Sequence, residues 1–223
     1  VEGIRSDLLY FVPPDDHLEI WQALLRNESG RPRRLSVYGY VEFALGHAMI
    51  DLINQCDDQH FNRVHFDPSV RSLFATKTYW VTGTRGTQHQ ENKEWDQWAF
   101  FSVNQPVTAF ETLRERFIGN YRNENNPAAI GQERLSSQET DFGNAIGALQ
   151  CDIELAPGQE LPVVFNLGVV AKDECKQLCR VLPVRYHEPA ARQRAWEKLC
   201  GKWERYFQVT RIQTPEPGAD IFM

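Results

Sequence analysis

One short segment of the chain concentrates side chains that could do chemistry. Residues 57–67 read DDQHFNRVHFD and contain two histidines, one arginine, three carboxylates and two phenylalanines. Histidine and carboxylate groups bind metals and transfer protons, and the planar guanidinium of Arg63 can hold two hydroxyls or an anion through paired hydrogen bonds. The segment is therefore compatible with a metal site, a catalytic cluster, a sugar-binding surface, or a loop in which Arg63 pairs with a neighbouring aspartate.

A metal site in this segment would use Asp57, His60 and His65 as ligands. Residues five apart on a strand point to opposite faces, so these three groups converge only if the segment folds as a loop. We therefore expect no bound metal here. The other histidines are scattered, and we predict that they lie on the surface: His17, His47, His89 and His187.

A second candidate segment, FETLRERFIGNYRNENNP, covers residues 110–127. Thr112 is predicted to cap a short helix together with Glu115 three residues later, and Gly119 is predicted to end it. Tyr121 and Arg122 would then project from the following loop. This loop either packs on the domain as a scaffold or contacts a ligand, another domain or another subunit.

Composition limits the classes of protein that the chain can represent. The 223 residues are 42% hydrophobic and carry a net charge of −6 without a basic run, which argues against nucleic acid as the main partner. No stretch of about 18 apolar residues predicts a membrane-spanning helix. The five cysteines are an odd and sparse set, so we predict reduced thiols and a cytoplasmic protein.

The elements that must position these residues are predicted to be mainly β. The segments 18–27 and 33–43 alternate between apolar and polar residues and are predicted to pair as a hairpin around a turn. Segments 72–83 and 94–104 form a second predicted pair, and residues 147–170 a third hairpin around APGQ. Regularly spaced strands of this kind favour an antiparallel β-sandwich.

The last part of the chain changes to a helical pattern. Helices are predicted within 172–182 and 188–207, and the second has an apolar stripe at a spacing of four residues, formed by Ala195, Leu199, Trp203 and Phe207. Residues 214–220, TPEPGAD, are typical of a linker. We expect the native polypeptide to continue beyond them into another domain.

Several long runs resemble the N-terminal region of inverting β-glycoside phosphorylases, glycoside hydrolase family 94. They are LYFVPPDDHLEIWQALLRNESGRPRRLSVYGYVEF, HFNRVHF, WAFFSVNQPVTAFETLRERFIGNYRNENNPAAI and GALQCDIELAPGQELPVVFNLG, in the family's order. The family includes cellobiose, cellodextrin, chitobiose, laminaribiose and cellobionic acid phosphorylases, and cyclic β-1,2-glucan synthases carry related domains. The resemblance covers nearly the whole chain.

The resemblance implies a division of the chain into three parts. Residues 1–170 would form a supersandwich of the galactose-mutarotase-like type with its early strands missing. Residues 171–213 would form a helical linker, and residues 214–223 would begin an absent (α/α)6-barrel catalytic domain. Because the family's general acid lies in that barrel, we assign no catalytic residue here and expect the isolated chain to be inactive.

The resemblance also suggests residues, ligands and partners. Arg63 falls on an arginine that reaches the sugar site in the family, and we predict that Arg63, Tyr121 and Arg122 bind substrate. The ligands would be a β-linked oligosaccharide and phosphate or a sugar 1-phosphate, with no cofactor. The expected partners are the barrel domain and a second subunit in a homodimer, with neither membrane nor nucleic acid bound.

Three other functions remain open. Trp80, Trp95 and Trp98 could make the chain a stand-alone carbohydrate-binding module, because flat indole rings stack on sugar rings. The chain could also serve purely in dimerisation, or belong to a cyclic β-1,2-glucan synthase.

Overall fold

The computed structural model describes residues 2–45, 61–82, 90–172 and 175–209, together with residue 215. In chain order the strands are β1 (Ile4–Phe11), β2 (Leu18–Asn27), β3 (Arg33–Glu42), β4 (Asn62–Asp67), β5 (Ser72–Thr82), β6 (Gln90–Glu94), β7 (Gln97–Val103), β8 (Ala109–Leu113), β9 (Ala145–Leu155) and β10 (Glu160–Ala171). The helices are α1 (Arg114–Ile118), α2 (Cys175–Arg185) and α3 (Pro189–Val209), and a 3-10 turn covers Ala128–Gly131.

The strands form two antiparallel sheets of unequal width. The large sheet has the order β1-β2-β10-β7-β5-β4, with β6 paired to the far half of β5. The small sheet has the order β3-β9-β8. The predicted mainly-β sandwich is therefore confirmed, and so is the antiparallel pairing of the 72–83 and 94–104 segments.

Aromatic side chains fill much of the space between the sheets. Phe101 stacks on Phe165 with 5.4 Å between ring centroids, and Phe66 stacks on Phe110 at 4.6 Å. Gly39 lies directly over this layer, and a Cβ added there would come within 2.4 Å of the Phe165 ring. The sheets approach this closely because β3 carries no side chain at that point.

The two hairpins predicted at 18–43 and 147–170 are wrong. β2 belongs to the large sheet and β3 to the small one, and β9 and β10 are divided in the same way. The connecting segments are arches that cross between the sheets. Alternation identified the inward faces of β3, β9 and β10 correctly, but both a hairpin and an arch place one face of each strand in the interior, so the pattern cannot distinguish them.

Asn27 ties the two arches together at one end of the sandwich. Its buried side-chain amide donates to the carbonyls of Arg31 and Leu155, at 2.8 and 2.9 Å. Its backbone N–H donates to the Gln159 carbonyl, and its carbonyl accepts from Gly158. Four backbone and side-chain bonds from one residue thus hold both crossings in place.

The helices cover the outer face of the large sheet. The ring of Trp196 on α3 meets Phe11 edge-on at 5.3 Å, and Leu182 on α2 is buried in the same apolar cluster. Only the first half of the predicted stripe packs there: Ala195 is buried and Leu199 lies against the cluster, but Trp203 and Phe207 are exposed. The predicted linker at 214–220 lies outside the described residues, apart from residue 215.

Helix α1 covers part of the outer face of the small sheet. Phe117 packs there against Tyr40, with 4.8 Å between stacked rings. The predicted cap at Thr112 is wrong, because the helix starts one residue later and the Thr112 hydroxyl donates instead to the Gln138 carbonyl. The predicted end at Gly119 is confirmed, with φ of 82°.

Candidate functional site

Arg63 lies on β4, the last strand at one edge of the large sheet, rather than in the irregular loop expected from the sequence. The side chains alternate along this strand, so that Val64 is buried in the interior while Arg63 points outward. Its guanidinium lies 4.0 Å from the Glu94 carboxylate, and the two side chains are 56% and 61% exposed. An ion pair this long and this exposed contributes little to stability, so Arg63 is available to a ligand.

Aromatic and charged groups surround Arg63 on the same outer face. His65, two residues along, meets the edge of Trp98 with 5.1 Å between ring centroids. The Lys172 ammonium lies 5.0 Å from the centre of the Trp98 ring and 3.1 Å from Glu94. Trp98 is half-buried against the helical side of the sheet, and the side chain of Trp80 lies outside the described residues.

Tyr121 and Arg122 lie in the loop that follows α1. Tyr121 is fully exposed and has φ of 61°, a left-handed conformation that is costly for a residue with a Cβ. Arg122 makes a long bond of 3.4 Å to the Asn126 side chain. A strained, exposed aromatic residue beside a nearly free guanidinium is a suitable group for contact with a sugar ring or a second surface.

An ion-pair bridge anchors this loop to the small sheet. Arg114 on α1 donates to Glu42 on β3 at 2.8 Å and also pairs with Glu124 in the loop. The Tyr40 hydroxyl donates to the same Glu42 carboxylate at 2.6 Å. Burial alone would raise the pKa of Glu42, but the hydrogen bonds from Tyr40 and Arg114 outweigh it and lower that pKa.

A buried carboxylate fixes the far end of the same region. Glu111 is 2% exposed, and its oxygens accept from the backbone N–H groups of Thr112 and Leu113 and from the Ser136 hydroxyl. Arg116 supplies the counter-charge at 2.7 Å. Segments 111–116 and 136–138 are therefore joined through one fully bonded acid.

The predicted substrate-binding residues are not brought together in one place. Arg63 is on the outer face of the large sheet, whereas Tyr121 and Arg122 extend from the cover of the small sheet. Because the two sheets lie between them, one monosaccharide cannot contact both groups within one chain. The metal interpretation involving Asp57 and His60 lies outside the described residues.

A cavity of about 420 Å³ opens between the sheets at the end opposite the arches. Its walls include Phe43 and Val41 from the small sheet and Leu167 and Glu19 from the large one. Glu19 faces inward, where its carboxylate accepts from the Trp21 indole at 3.0 Å. Glu19 was not predicted as a candidate site residue, although it interrupts the apolar alternation of β2.

A buried polar cluster joins the helices to the large sheet. We name Ser102, Asn166, His187 and Arg192 the helix junction. The Ser102 hydroxyl and the Asn166 amide both donate to the Pro183 carbonyl, at 2.6 and 2.8 Å. Arg192 donates to the carbonyls of Tyr186 and His187, each at 2.8 Å, and to the Gln22 side chain.

The predicted surface position of His187 is wrong. Burial, with the nearby charges of Arg71 and Arg192, lowers its pKa to about 3. The Ser102 hydroxyl gives its proton to Pro183, so Nε2 of His187, 3.3 Å away, must carry the proton of the neutral ring. No local pattern predicted its burial, because the residue follows a short run, VLPVRY, that is typical of the end of a helix.

Two antiparallel sheets of unequal width, with helices on the outside of the wider one, define a β-supersandwich. The model of the glycosyl hydrolase 94 supersandwich domain matches residues 1–185, and the chain belongs to that family. Within the part of the chain that the structure describes, no helix is both long and apolar enough to cross a membrane.

Curated relatives are similar over most of the chain. An N,N'-diacetylchitobiose phosphorylase from Vibrio proteolyticus is 25% identical over 99% of this chain, and a solabiose phosphorylase from Paenibacillus borealis is 28% identical over 85%. A cyclic β-(1,2)-glucan synthase from Rhizobium meliloti is 29% identical over 86%. The chain spans 25%, 23% and 6% of these relatives, respectively.

Proposed function

We propose that this chain is the non-catalytic sandwich domain of a glycoside phosphorylase that reversibly cleaves a β-linked disaccharide or oligosaccharide with phosphate and inverts the anomeric carbon. The supporting observation is the family match over residues 1–185, together with relatives that are named phosphorylases. The proposal includes a cytoplasmic setting, a catalytic barrel in the same polypeptide and a homodimer.

The chemistry of an inverting phosphorylase explains why this domain needs no catalytic acid. Phosphate attacks the anomeric carbon from one side while a carboxylic acid on the other side protonates the leaving oxygen. Phosphate is itself the nucleophile, so no second carboxylate is needed to activate water. We place the acid outside this chain and expect the isolated chain to show no turnover of glucose 1-phosphate.

The domain's part in the reaction is to shape the mouth of the active site. Arg63 offers planar donors for a hydroxyl pair or an anion, and Tyr121 with Arg122 offers a ring and a charged donor. Since these groups lie on different faces, we propose that they serve two different contacts. One is with the barrel of the same longer polypeptide and the other is with the partner subunit.

The test is the Arg63→Ala variant of the complete gene product, assayed for phosphorolysis and for thermal stability. Losing a charged hydrogen-bond donor to a bound ligand costs about 1.5–3 kcal/mol, which is roughly a ten- to hundredfold fall in kcat/KM. Arg26→Ala is the matched control, because Arg26 forms a similarly exposed ion pair with Glu160 at 3.2 Å. An unchanged kcat/KM would remove Arg63 from the site, and a fall in stability that accounts for the lost activity would make it structural.

A glucan synthase domain is the second candidate, supported by the 29% identity to the Rhizobium meliloti enzyme. The two candidates differ in product. A phosphorylase releases phosphate when glucose 1-phosphate meets an acceptor, and a synthase domain would not require phosphate. A stand-alone carbohydrate-binding module would instead be indicated if the isolated chain bound cellobiose through the surface around Trp98.

A further inference from the structure

Arg63 and Glu94 meet above the strand that separates them. In the large sheet, Arg63 on β4 lies opposite Thr76 of β5, and Glu94 on β6 lies opposite Thr78 of the same strand. Residues directly opposite each other share a face of the sheet, and so do residues two apart on one strand, so all four side chains project from the same face. The threonines are short, and the two longer charged groups therefore reach each other across β5.

The two groups face each other without forming a hydrogen bond. Nη1 of Arg63 lies 4.0 Å from Oε1 of Glu94, which is well beyond the usual N–H···O range. Within the described residues, the Arg63 side chain donates no hydrogen bond and Oε1 of Glu94 accepts none. Both side chains are more than half exposed. A planar set of donors thus lies beside an unused acceptor, and both are open to a ligand.

Lys172 holds Glu94 in this position. Its ammonium lies 3.1 Å from Oε2, the other oxygen of the Glu94 carboxylate, and 5.0 Å from the centre of the Trp98 ring. The lysine side chain is only 20% exposed, and its backbone N–H donates to the Asp96 carbonyl at 2.8 Å, so the residue is fixed at both ends. One oxygen of Glu94 is therefore tied to the protein, while the other faces Arg63.

The ring of His65 gives this pair a flat border. His65 follows Arg63 by two residues on the same face of β4, stacks on Phe74 with 5.5 Å between ring centroids, and meets the edge of Trp98 at 5.1 Å. The residue is exposed. A flat ring beside polar groups suits a sugar, whose ring faces carry C–H bonds while its edge carries hydroxyls.

The spacing of donor and acceptor fits a hydroxyl group. A hydroxyl can accept and donate at once, whereas an ionised carboxylate only accepts. Two hydrogen bonds of ordinary length together exceed the 4.0 Å gap, so one hydroxyl oxygen in front of the pair can accept from Arg63 and donate to Oε1 of Glu94. An anion at the same place would be attracted by Arg63 and repelled by Glu94.

We infer that Glu94 is a further substrate-binding residue, which forms with Arg63 a donor–acceptor pair for a hydroxyl of a neutral sugar, and that Lys172 is the positioning residue that orients Glu94. The inference rests on the proposed function, in which the ligand of Arg63 is either a hydroxyl pair or an anion, and it selects the hydroxyl. The sugar that binds at this face is uncharged there, and an acid sugar with its carboxylate at this point is disfavoured.

The test measures the binding of neutral β-linked disaccharides to the complete gene product by calorimetry without phosphate, so that no phosphorolysis can occur. The probes are cellobiose, laminaribiose and N,N'-diacetylchitobiose. For the one that binds most tightly we expect Glu94→Gln to raise Kd about five- to tenfold, because a hydrogen bond to a charged acceptor becomes one to a neutral amide. Glu160→Gln is the matched control, since Glu160 forms a similarly exposed ion pair with Arg26.

A double-mutant cycle shows whether the two groups hold the same hydroxyl. We expect Glu94→Gln to weaken binding much less in the Arg63→Ala background than in the parent, because the hydroxyl is then no longer held in front of Glu94. Lys172→Met should raise Kd about threefold, since an exposed ion pair contributes little. Lys172→Arg, which restores a cation beside Glu94, should return Kd to the parent value.

Five results would overturn the inference. An unchanged Kd in Glu94→Gln would leave Glu94 outside the site, and a lower Kd would make it a competitor for Arg63. Additive losses in the cycle would mean that the two groups hold different atoms. Tighter binding of cellobionate than of cellobiose, lost in Arg63→Ala, would make the ligand an anion, and failure of all three disaccharides to bind would remove the site.

Binding and turnover are separate readouts in this test. A complete gene product that binds a disaccharide through Glu94 but phosphorolyses none of them would count against the proposed function alone.

Discussion

The two outer faces of the sandwich are covered by different means. Helices α2 and α3 cover the large sheet through the helix junction, in which the buried side chains of Ser102, Asn166 and Arg192 donate to backbone carbonyls. Helix α1 and its loop cover the small sheet through the ion pairs of Arg114, which remain partly exposed, and leave Tyr121 in solvent. The first cover is built for stability, and the second presents groups outward at some cost in backbone strain.

The largest loss of stability is expected from removing Arg192, the buried charge that holds helices α2 and α3 on the large sheet. Arg192→Ala would leave the Tyr186 and His187 carbonyls and the Gln22 side chain without their donor. Removing a buried charged donor with several partners should lower the free energy of unfolding by about 3 kcal/mol. Arg194→Ala, two residues along on the exposed side of α3, is the control. Urea unfolding checks both, and equal losses would show that the junction does not depend on Arg192.

The cover of the small sheet also depends on one buried charge, the Glu111 carboxylate. Removing that charge should lower the free energy of unfolding somewhat less than Arg192→Ala does. Glu111→Gln keeps the shape but removes the charge that pairs with Arg116 and draws two backbone N–H groups. We expect a loss of about 1.5–3 kcal/mol, the range for hydrogen bonds to charged groups. Glu133→Gln, whose side chain is exposed, should change the unfolding midpoint little. A loss as small as that of the control would mean that the loop does not need the Glu111 carboxylate.

The helix junction should also make stability depend on pH. His187 has a pKa of about 3 in the folded chain and about 6.5 when unfolded. Between these values only the unfolded chain binds the proton, so this contribution is complete above pH ~6.5 and falls by ~1.4 kcal/mol per unit as pH drops towards 3. His187→Gln should flatten the profile over that window relative to the parent, and His17→Gln, at an exposed site, should not. Parallel profiles for His187→Gln and the parent, from unfolding at pH 4 to 7, would contradict this.

The sequence predicted the layers of the fold better than their connections. Period-two alternation located the inward faces of β3, β9 and β10, since burial of one face is a property of each strand alone. Which strands pair is decided by the arches, and these depend on Asn27, whose bonds to Arg31 and Leu155 join residues up to 128 positions apart. No local pattern reports such a contact.

The candidate site was predictable as residue types but not as an arrangement. Arg63, Tyr121 and Arg122 are indeed exposed, as expected for groups offered to a ligand. Their separation on two faces follows from the crossing of the chain between sheets, which the sequence did not reveal. His187 was missed because burial of an imidazole depends on the packing of α2 and α3 against β7 and β10, and not on its neighbours in sequence.

The smallest effect on stability, and the sharpest test of the comparison, is at Tyr121. Its left-handed backbone costs a residue with a Cβ roughly 1 kcal/mol relative to glycine, and the ring has no buried contact to offset this. Tyr121→Gly should therefore raise the free energy of unfolding by up to about 1 kcal/mol, whereas Tyr121→Ala, which keeps the strain, should leave it unchanged.

In the complete gene product both variants should lower kcat/KM equally if the Tyr121 ring contacts a sugar or the partner surface, since both variants lack the ring. Tyr121→Phe should retain most activity if stacking is what matters. Parent-like kcat/KM in both the glycine and the alanine variants would assign the loop to the scaffold, and the contrast between the two covers would then be one of exposure alone.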